Sequence, residues 1–395
     1  MTDLLISFLG KQRRAEGGYR LARYRFDDGD LVETRYFAQA LRRKLNPDRV
    51  LLLGTSGSMW DVLIEDCDAG LIDDDTRLAL IDAVDREAVD QPLLDAVARA
   101  VASSWGCEVR LGLIPYGRDE GEQMAILRAM ADGAQGAEHV HLDVTHGFRS
   151  LPMLALMAAF YLQVARGLEI AGIHYGMFEA RDAEQTAPVV RLDGLLRFGR
   201  WIGALRQYDK DGDYSVFADL LAEAGVSGTR QLAEASFFER ISDVRRATSR
   251  ISTAIHGLDQ IDAESHPAAA LFAPELQQRL GWFREPSPAQ REWALAEAYL
   301  DRGDYLRAAL IALEAAVSSE MERQGHAIAD FEARQKVHDE LREHNGHYKR
   351  LNSLRNQMAH GSRKKSRDSE RAMRDEQTLC STLGSLIRQL RSRYG

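Results

Sequence analysis

Cysteine is scarce in this chain: Cys67, Cys107 and Cys380 are the only three among 395 residues, and they lie far apart. None stands in a metal-ligand or redox spacing, which leaves ordinary thiols in a reducing cytoplasm as the expectation. Long hydrophobic runs are also missing. The longest, 151–165, falls short of the roughly 20 residues a membrane span needs and is expected to be a buried helix, so no membrane association follows. The opening MTDLLISFLGKQRR places its apolar run before its charges, the reverse of a secretory signal. An excess of positive charge is absent too: Lys+Arg 51 against Asp+Glu 60 gives a formal net charge of -9. That excludes a basic coat, although a local basic patch can still steer a nucleic acid. Internal repeats are not found. The stretch AEAYLDRGDYLRAALIALEA at 296–315 resembles one helical hairpin of the tetratricopeptide type, and a single unit makes no array.

Apolar material, by contrast, is ample. Hydrophobic residues make up 45% and charged residues 28%, enough for two separate cores in a chain whose length suggests two or three domains. Residues 1–195 alternate short β-rich runs with helical patterns, which predicts an α/β domain with a mainly parallel sheet. Residues 4–9 read as a strand apolar throughout, as expected where both sheet faces are covered. Residues 19–26 and 31–34 flank Asp28-Gly29, a hairpin signal, and 33–45 turns helical. Residues 49–53 form the next central strand, and an acidic stretch at 65–90 is expected as a solvated loop plus helix. From about 195 onward strand signals nearly vanish and helical periodicity dominates. The break at 284–288 (REPSP) is the best linker candidate, dividing a helical middle region, 196–285, from a C-terminal all-α region, 286–395.

In the first half the strongest local signal is DVTHGFRSLP at 143–152, where a buried strand hands over to a helix with Pro152 in its first turn. Ligands of open α/β sheets bind at the carboxyl ends of strands. A helix N-terminus there offers free N–H groups to an anion. Thr145 and His146 supply hydrogen-bonding groups, Gly147 permits close backbone approach, and Arg149 can hold a phosphate bidentately. Phe148 can stack on a base or plug the core. A tight turn whose polar residues merely cap the helix is the competing reading. Gly10-Lys11 and Gly54-Thr55-Ser56 fall on the same rim by topology. The latter is no P-loop, since no Gly-Lys-Ser/Thr follows. Together the three loops describe a pocket for a ligand with several phosphates.

In the second half the sharp feature is Arg355-Asn356-Gln357-Met358-Ala359-His360. Asn356 and His360 share a helix face, whereas Arg355 points roughly 140° away from His360 in an ideal helix. The two can act together only if the turn near Gly361 distorts or a second chain contributes. The trio suits RNA cleavage without metal: a histidine moves a proton at the 2′-hydroxyl or leaving oxygen, and an arginine stabilises the charged phosphorane. The basic run Arg363, Lys364, Lys365 and Arg367 is placed to hold RNA phosphates. A capped helix end is the bland alternative. Two decoys are set aside. Asp209, Asp211 and Asp213 begin like an EF-hand, but Tyr214 stands where its glycine belongs and Leu220 where its glutamate belongs. His139 and His141 point the same way along a strand without a third ligand. No metal site is expected.

The signature DVTHGFRSLP, with ISFLG at 6–10 and LLLGTSGSMWDVL at 51–63, resembles the CRISPR-associated Rossmann-fold (CARF) sensor domain found in type III ancillary proteins. RNQMAH at 355–360 resembles the R-x4-6-H motif of HEPN ribonucleases, which usually form the C-terminal half of such proteins. The resemblance implies a homodimer, or a higher even oligomer, whose paired CARF domains bind cyclic oligoadenylate, with cyclic tetra-adenylate the expected ring. Binding would activate a composite HEPN site that cuts single-stranded RNA without metal or cofactor, in a prokaryotic cytoplasm. Carried over, Arg355 and His360 become the catalytic pair and Asn356 orients them. Gly10, Lys11, Gly54, Thr55, Ser56 and Thr145 to Arg149 become the ligand cradle. The departure is Lys11-Gln12-Arg13-Arg14 after Gly10, where the family commonly continues with threonine and a short polar loop with a tyrosine. Two other readings stay open: a nucleotide-responsive binding protein that cuts nothing, and a ring nuclease whose chemistry lies in the CARF loops.

Overall fold

The computed structural model describes residues 2–12, 18–65, 67, 70–255, 257–361 and 367–395, which fall into two compact units, Met1–Arg197 and Phe198–Gly395. The first is built on eight strands: β1 (Asp3–Leu9), β2 (Ala22–Arg25), β3 (Leu31–Thr34), β4 (Arg49–Gly54), β5 (Glu108–Leu113), β6 (His139–Asp143), β7 (Glu169–Gly176) and β8 (Thr186–Arg191). Their order is β3-β2-β8-β7-β6-β1-β4-β5. The ladder from β5 through β4, β1 and β6 to β7 is parallel; β8 runs antiparallel to β7 and β3 antiparallel to β2. The hairpin expected around Asp28-Gly29 is the β2–β3 pair, with Gly29 at φ 86°.

Alternation along β1 explains its apolar run, which only Ser7 interrupts. Leu5 and Leu9 enter one core with Val50, Leu52, Phe37 and Val97, while Leu4, Ile6 and Phe8 enter the opposite core with Leu51, Ile126, Met130 and Ala159. Both faces of the sheet are therefore covered by helices: α1 (Phe37–Leu45), α2 (Val62–Glu65), α3 (Asp74–Asp85), α4 (Gln91–Trp105), α5 (Glu120–Gly133) and α6 (Leu151–Arg166). The sequence sets their starts locally. Asp73, Asp90 and Asp119 each cap a helix by accepting a backbone N–H, those of Thr76, Leu93 and Glu122. The helix expected from 33 begins at Phe37, because Glu33 and Thr34 are held in the β2–β3 ladder.

The expectation for 151–165 needs correction. The inner stripe of α6, Leu151, Ala155, Ala158, Ala159 and Leu162, is buried on the sheet, yet Met153 is 72% exposed and Val164 87%, with Met157 and Tyr161 between them also exposed. Periodicity cannot reveal this, since an all-round apolar helix carries no polar face to mark the solvent side. No described helix is long and apolar enough to cross a membrane.

Among the described residues the second unit contains no strand. Its helices are α7 (Gly194–Asp211, which begins at the end of the first unit), α8 (Ala218–Glu223), α9 (Thr229–Arg240), α10 (Val244–Ile255), α11 (Pro267–Arg279), α12 (Pro288–Asp301), α13 (Tyr305–Gln324), α14 (Phe331–His344), α15 (Gly346–Ala359), α16 (Arg367–Ala372) and α17 (Glu376–Tyr394). The break at 284–288 ends one helical turn and starts α12, where the Ser287 side chain accepts the Gln290 N–H. Leu280 and Trp282 before it and Trp293 after it belong to one hydrophobic core that runs from Trp201 to Leu390.

Candidate functional site

From β1 the chain runs to the β2–β3 hairpin at the far edge of the sheet. It then reaches β4 and β5 on one side of β1, and returns to place β6 and β7 on the other. Along the parallel ladder the order reverses between β1 and β6, and the ligands of such sheets bind in the crevice beyond the carboxyl ends of the strands at that point. Gly10 and the turn 144–150 occupy that point. A Cβ on Gly10 would stand 2.8 Å from the Gly147 nitrogen, so the loops touch backbone to backbone. Gly147 itself has φ 102°, and a Cβ there would meet Leu151 Cδ1 at 2.6 Å. Glycine is required at both places by contact, and at 147 by conformation too.

A hydrogen-bonded floor supports the crevice. The Ser7 hydroxyl donates to Asp143 Oδ2 at 2.6 Å and meets the Tyr36 hydroxyl at 2.8 Å. Asp143 Oδ1 accepts the Thr145 N–H at 2.9 Å, and Thr145 Oγ1 accepts the Gly176 N–H at 2.8 Å. His146 Nε2 accepts the Phe37 N–H at 3.3 Å, serving as the cap that Tyr36, at the N-cap of α1, does not supply. An accepting Nε2 puts the proton on Nδ1, so the ring is a neutral donor. The competing structural reading of this turn is thus partly realised: Thr145 and His146 are tied to β7 and α1.

Two clefts open on the rim, and Lys11 lines both. One, of about 310 Å³, is bounded by Gly10, Lys11, Thr55, Gly57, Ser58, Glu87, Tyr116, Gly147 and Phe148. Its aromatic corner is the Tyr116–Phe148 pair, with centroids 5.5 Å apart, and Arg118 lies over the Tyr116 ring at 4.7 Å. Phe148 is 45% exposed, so it is available for stacking and is not a core plug. The other cleft, of about 370 Å³, takes Lys11, Gln12, Arg20, Arg35, Thr145, His146 and Phe178 among its walls. Arg20 and Arg181 both lie over the Phe178 ring, at 4.8 and 3.9 Å.

Of the residues expected in the cradle, Gly10, Lys11, Thr55, Gly147 and Phe148 come together in the first cleft, and Thr145 and His146 join Lys11 in the second. Gly54 and Ser56 line neither. Gly54 is packed against Trp60 and Ser58, and the Ser56 carbonyl accepts the Val89 N–H at 3.3 Å. Arg149 is exposed and also lines neither cleft. Sequence reasoning missed Ser58, Glu87, Tyr116, Arg20, Arg35 and Phe178. For Tyr116 a signal existed, because Pro115-Tyr116-Gly117 ends a strand on this same rim.

Burial sets the protonation of the floor. It raises the Asp143 carboxyl to about 6 against the opposing hydrogen bonds from Ser7 and Thr145, and lowers His146 and His174 each to about 4. The histidines are neutral in the fold and charged once unfolded between pH 6.5 and about 4, so their contribution is lost as pH falls. The raised Asp143 acts oppositely, favouring the fold more as pH falls through about 6. Asp143→Asn removes that opposing contribution. The variant's urea stability is therefore expected to fall more steeply than wild type between pH 6 and 4.5, by up to about 1.4 kcal/mol per pH unit. Equal or shallower slopes would contradict a raised Asp143.

In the second unit, Arg355 lies on α15 with its Nη2 donating to Asn352 Oδ1 at 3.0 Å, and its Nε is buried without a hydrogen-bond partner among the described residues. Asn356 and His360 are exposed. Helical geometry ends at His360, whose φ −124° and ψ 42° leave the helix although its N–H still reaches the Asn356 carbonyl at 3.1 Å. The departure turns the His360 side chain but leaves its Cα in helical register, so the pair still does not share a helix face. Arg363, Lys364 and Lys365 lie outside the described residues; Arg367 is exposed at the start of α16. The two decoys have structural partners. Asp209 pairs with Arg279, Asp213 caps the turn at Ser215 and pairs with Arg240, His139 pairs with Asp3, and His141 Nδ1 meets His174 Nε2 at 3.2 Å.

Residues 4–179 match the family model described as the CARF domain of CRISPR system endoribonuclease Csx1. A curated relative, CRISPR-associated protein MJ1674 of Methanocaldococcus jannaschii, is 24% identical over 221 residues, covering 51% of this chain and 35% of that protein. The match thus spans about a third of the relative's length. The sequence match, and a parallel sheet whose switch point carries the matched turn, support a relationship of this chain, through its first unit, to the CARF-containing CRISPR-associated proteins.

Proposed function

We propose that this protein is a cyclic-oligoadenylate-activated, metal-independent endoribonuclease that cuts single-stranded RNA in type III CRISPR antiviral defence. The observation that carries the reading is the pair of rim clefts at the β1–β6 switch point, which share Lys11 and set backbone glycines, that lysine, two arginines and the exposed Phe148 ring around them. Phosphates suit the first three and adenine rings the last. A ring of several nucleotides is larger than either cleft, and the exposed apolar stripe of α6 supports a second copy as the means of enlarging it. That stripe starts at the turn bearing Phe148 and can pack on itself across a two-fold axis, which would set two clefts side by side.

In the second unit the same two-fold would let Arg355 of one chain serve His360 of the other. The 2′-hydroxyl of the RNA attacks the neighbouring phosphate, the 5′-oxygen leaves, and the products carry a 2′,3′-cyclic phosphate and a 5′-hydroxyl. His360 moves a proton at the attacking or leaving oxygen. Arg355, whose unpartnered Nε is a donor to spare, stabilises the phosphorane charge. Calorimetric titration with cyclic tri-, tetra- and hexa-adenylate tests the ligand. One ring size is expected to bind with one ring per two chains; one ring per chain would remove the shared site, and no heat with any ring would remove the ligand.

A further inference from the structure

Glu87 stands one residue beyond Arg86, the C-cap of α3, with φ 55°. Helices commonly fill this left-handed position with glycine, because a Cβ there is crowded. Here the backbone still closes the helix, with the Glu87 N–H reaching the Val84 carbonyl at 3.0 Å and the Ala88 N–H the Ala83 carbonyl at 2.8 Å. A glutamate in a glycine's place is worth explaining by what its side chain does. It crosses to the rim, lies against Gly57, where a Cβ would stand 3.2 Å from Glu87 Oε2, and pairs its Oε1 with Lys11 Nζ. Among the described residues, Lys11 and Glu87 are the only charged ones lining the first cleft. A concavity suited to phosphates by its backbone therefore has its Lys11 ammonium already paired.

We propose that Glu87 is a specificity-determining residue of the rim site, a built-in competitor that holds Lys11 until a phosphate of an anionic ring displaces it. The inference rests on the reading that cyclic oligoadenylate binds at this rim. The Lys11 and Glu87 side chains are 60% and 50% exposed, so water already weakens their attraction and a ligand can exchange for it readily. The carboxylate then remains beside the bound phosphate. That repulsion is tolerable for a ring anchored at several points and decisive against a single nucleotide with one.

The test compares binding of cyclic tetra-adenylate and of AMP to full-length wild type, Glu87→Gln, Lys11→Ala and the double variant. Glu87→Gln is expected to bind both ligands about three- to tenfold more tightly, AMP gaining more, with the gain shrinking as salt screens the removed charge. Lys11→Ala should weaken ring binding, and adding Glu87→Gln to it should restore little. Binding of the ring by Glu87→Gln at wild-type strength or weaker would overturn the proposal while leaving the rim reading intact; a carboxylate that accepts a ligand amino group would produce the latter. Failure of wild type and Glu87→Gln alike to bind the ring would overturn the rim reading itself.

Discussion

His360→Ala is expected to lower activator-dependent RNA cleavage by a factor on the order of 10²–10⁴, the usual contribution of one positioned proton-transfer group. The substitution is clean because His360 is exposed and sits where α15 ends, its backbone N–H closing the helix on the Asn356 carbonyl. Circular dichroism and the thermal midpoint should therefore stay at wild-type values, separating lost chemistry from lost folding. Arg355→Ala should show a comparable loss. Its guanidinium is fixed by Asn352 but leaves Nε unspent, which suits transition-state charge more than the stability of a helix. If the two act as one unit, the double variant should fall little below either single one. Cleavage undiminished in His360→Ala would remove that residue from the mechanism. Loss in His360→Ala with full activity in Arg355→Ala would leave the histidine to work without its expected partner.

How much of this was legible before the structure differs sharply between rim and edges. Residues 4–9 announced a doubly covered strand because every position but Ser7 is apolar, and Leu5 and Ile6 indeed enter opposite cores. The turn at 143–152 was legible because Gly147, at φ 102°, and Pro152, in the first turn of α6, are each demanded locally by backbone geometry. His146 was read as a group for a ligand, and its capping of α1 could not be seen, since Phe37 lies 109 residues away in sequence. Arg20, Arg35 and Glu87 escaped for the same reason: each sits in an ordinary local context, and only the sheet order brings it beside Lys11. The outer face of α6 misled because composition reports apolarity and not which side meets solvent. The basic run after His360 was legible as charge alone, and three of its residues lie outside the described chain.

The largest effect of all should come from the ligand itself. Neither described part of the rim site is a substrate site for RNA in this account, so its occupant can act on RNA only by changing what the second unit does. A ligand shifts such an equilibrium only by its differential affinity for the two states, and a hundredfold change in activity needs about 2.7 kcal/mol of it. A polyanionic ring that brings together two copies of the β1–β6 crevice, each with Lys11 at its edge, has contacts of that size to offer. The decisive measurement is the cleavage rate of a single-stranded RNA by the full chain in EDTA, with and without saturating cyclic tetra-adenylate or whichever ring binds. The account expects cleavage at least a hundredfold faster with the ring, with 2′,3′-cyclic phosphate ends. An unchanged rate with the ring demonstrably bound would contradict it, as would activity that EDTA abolishes.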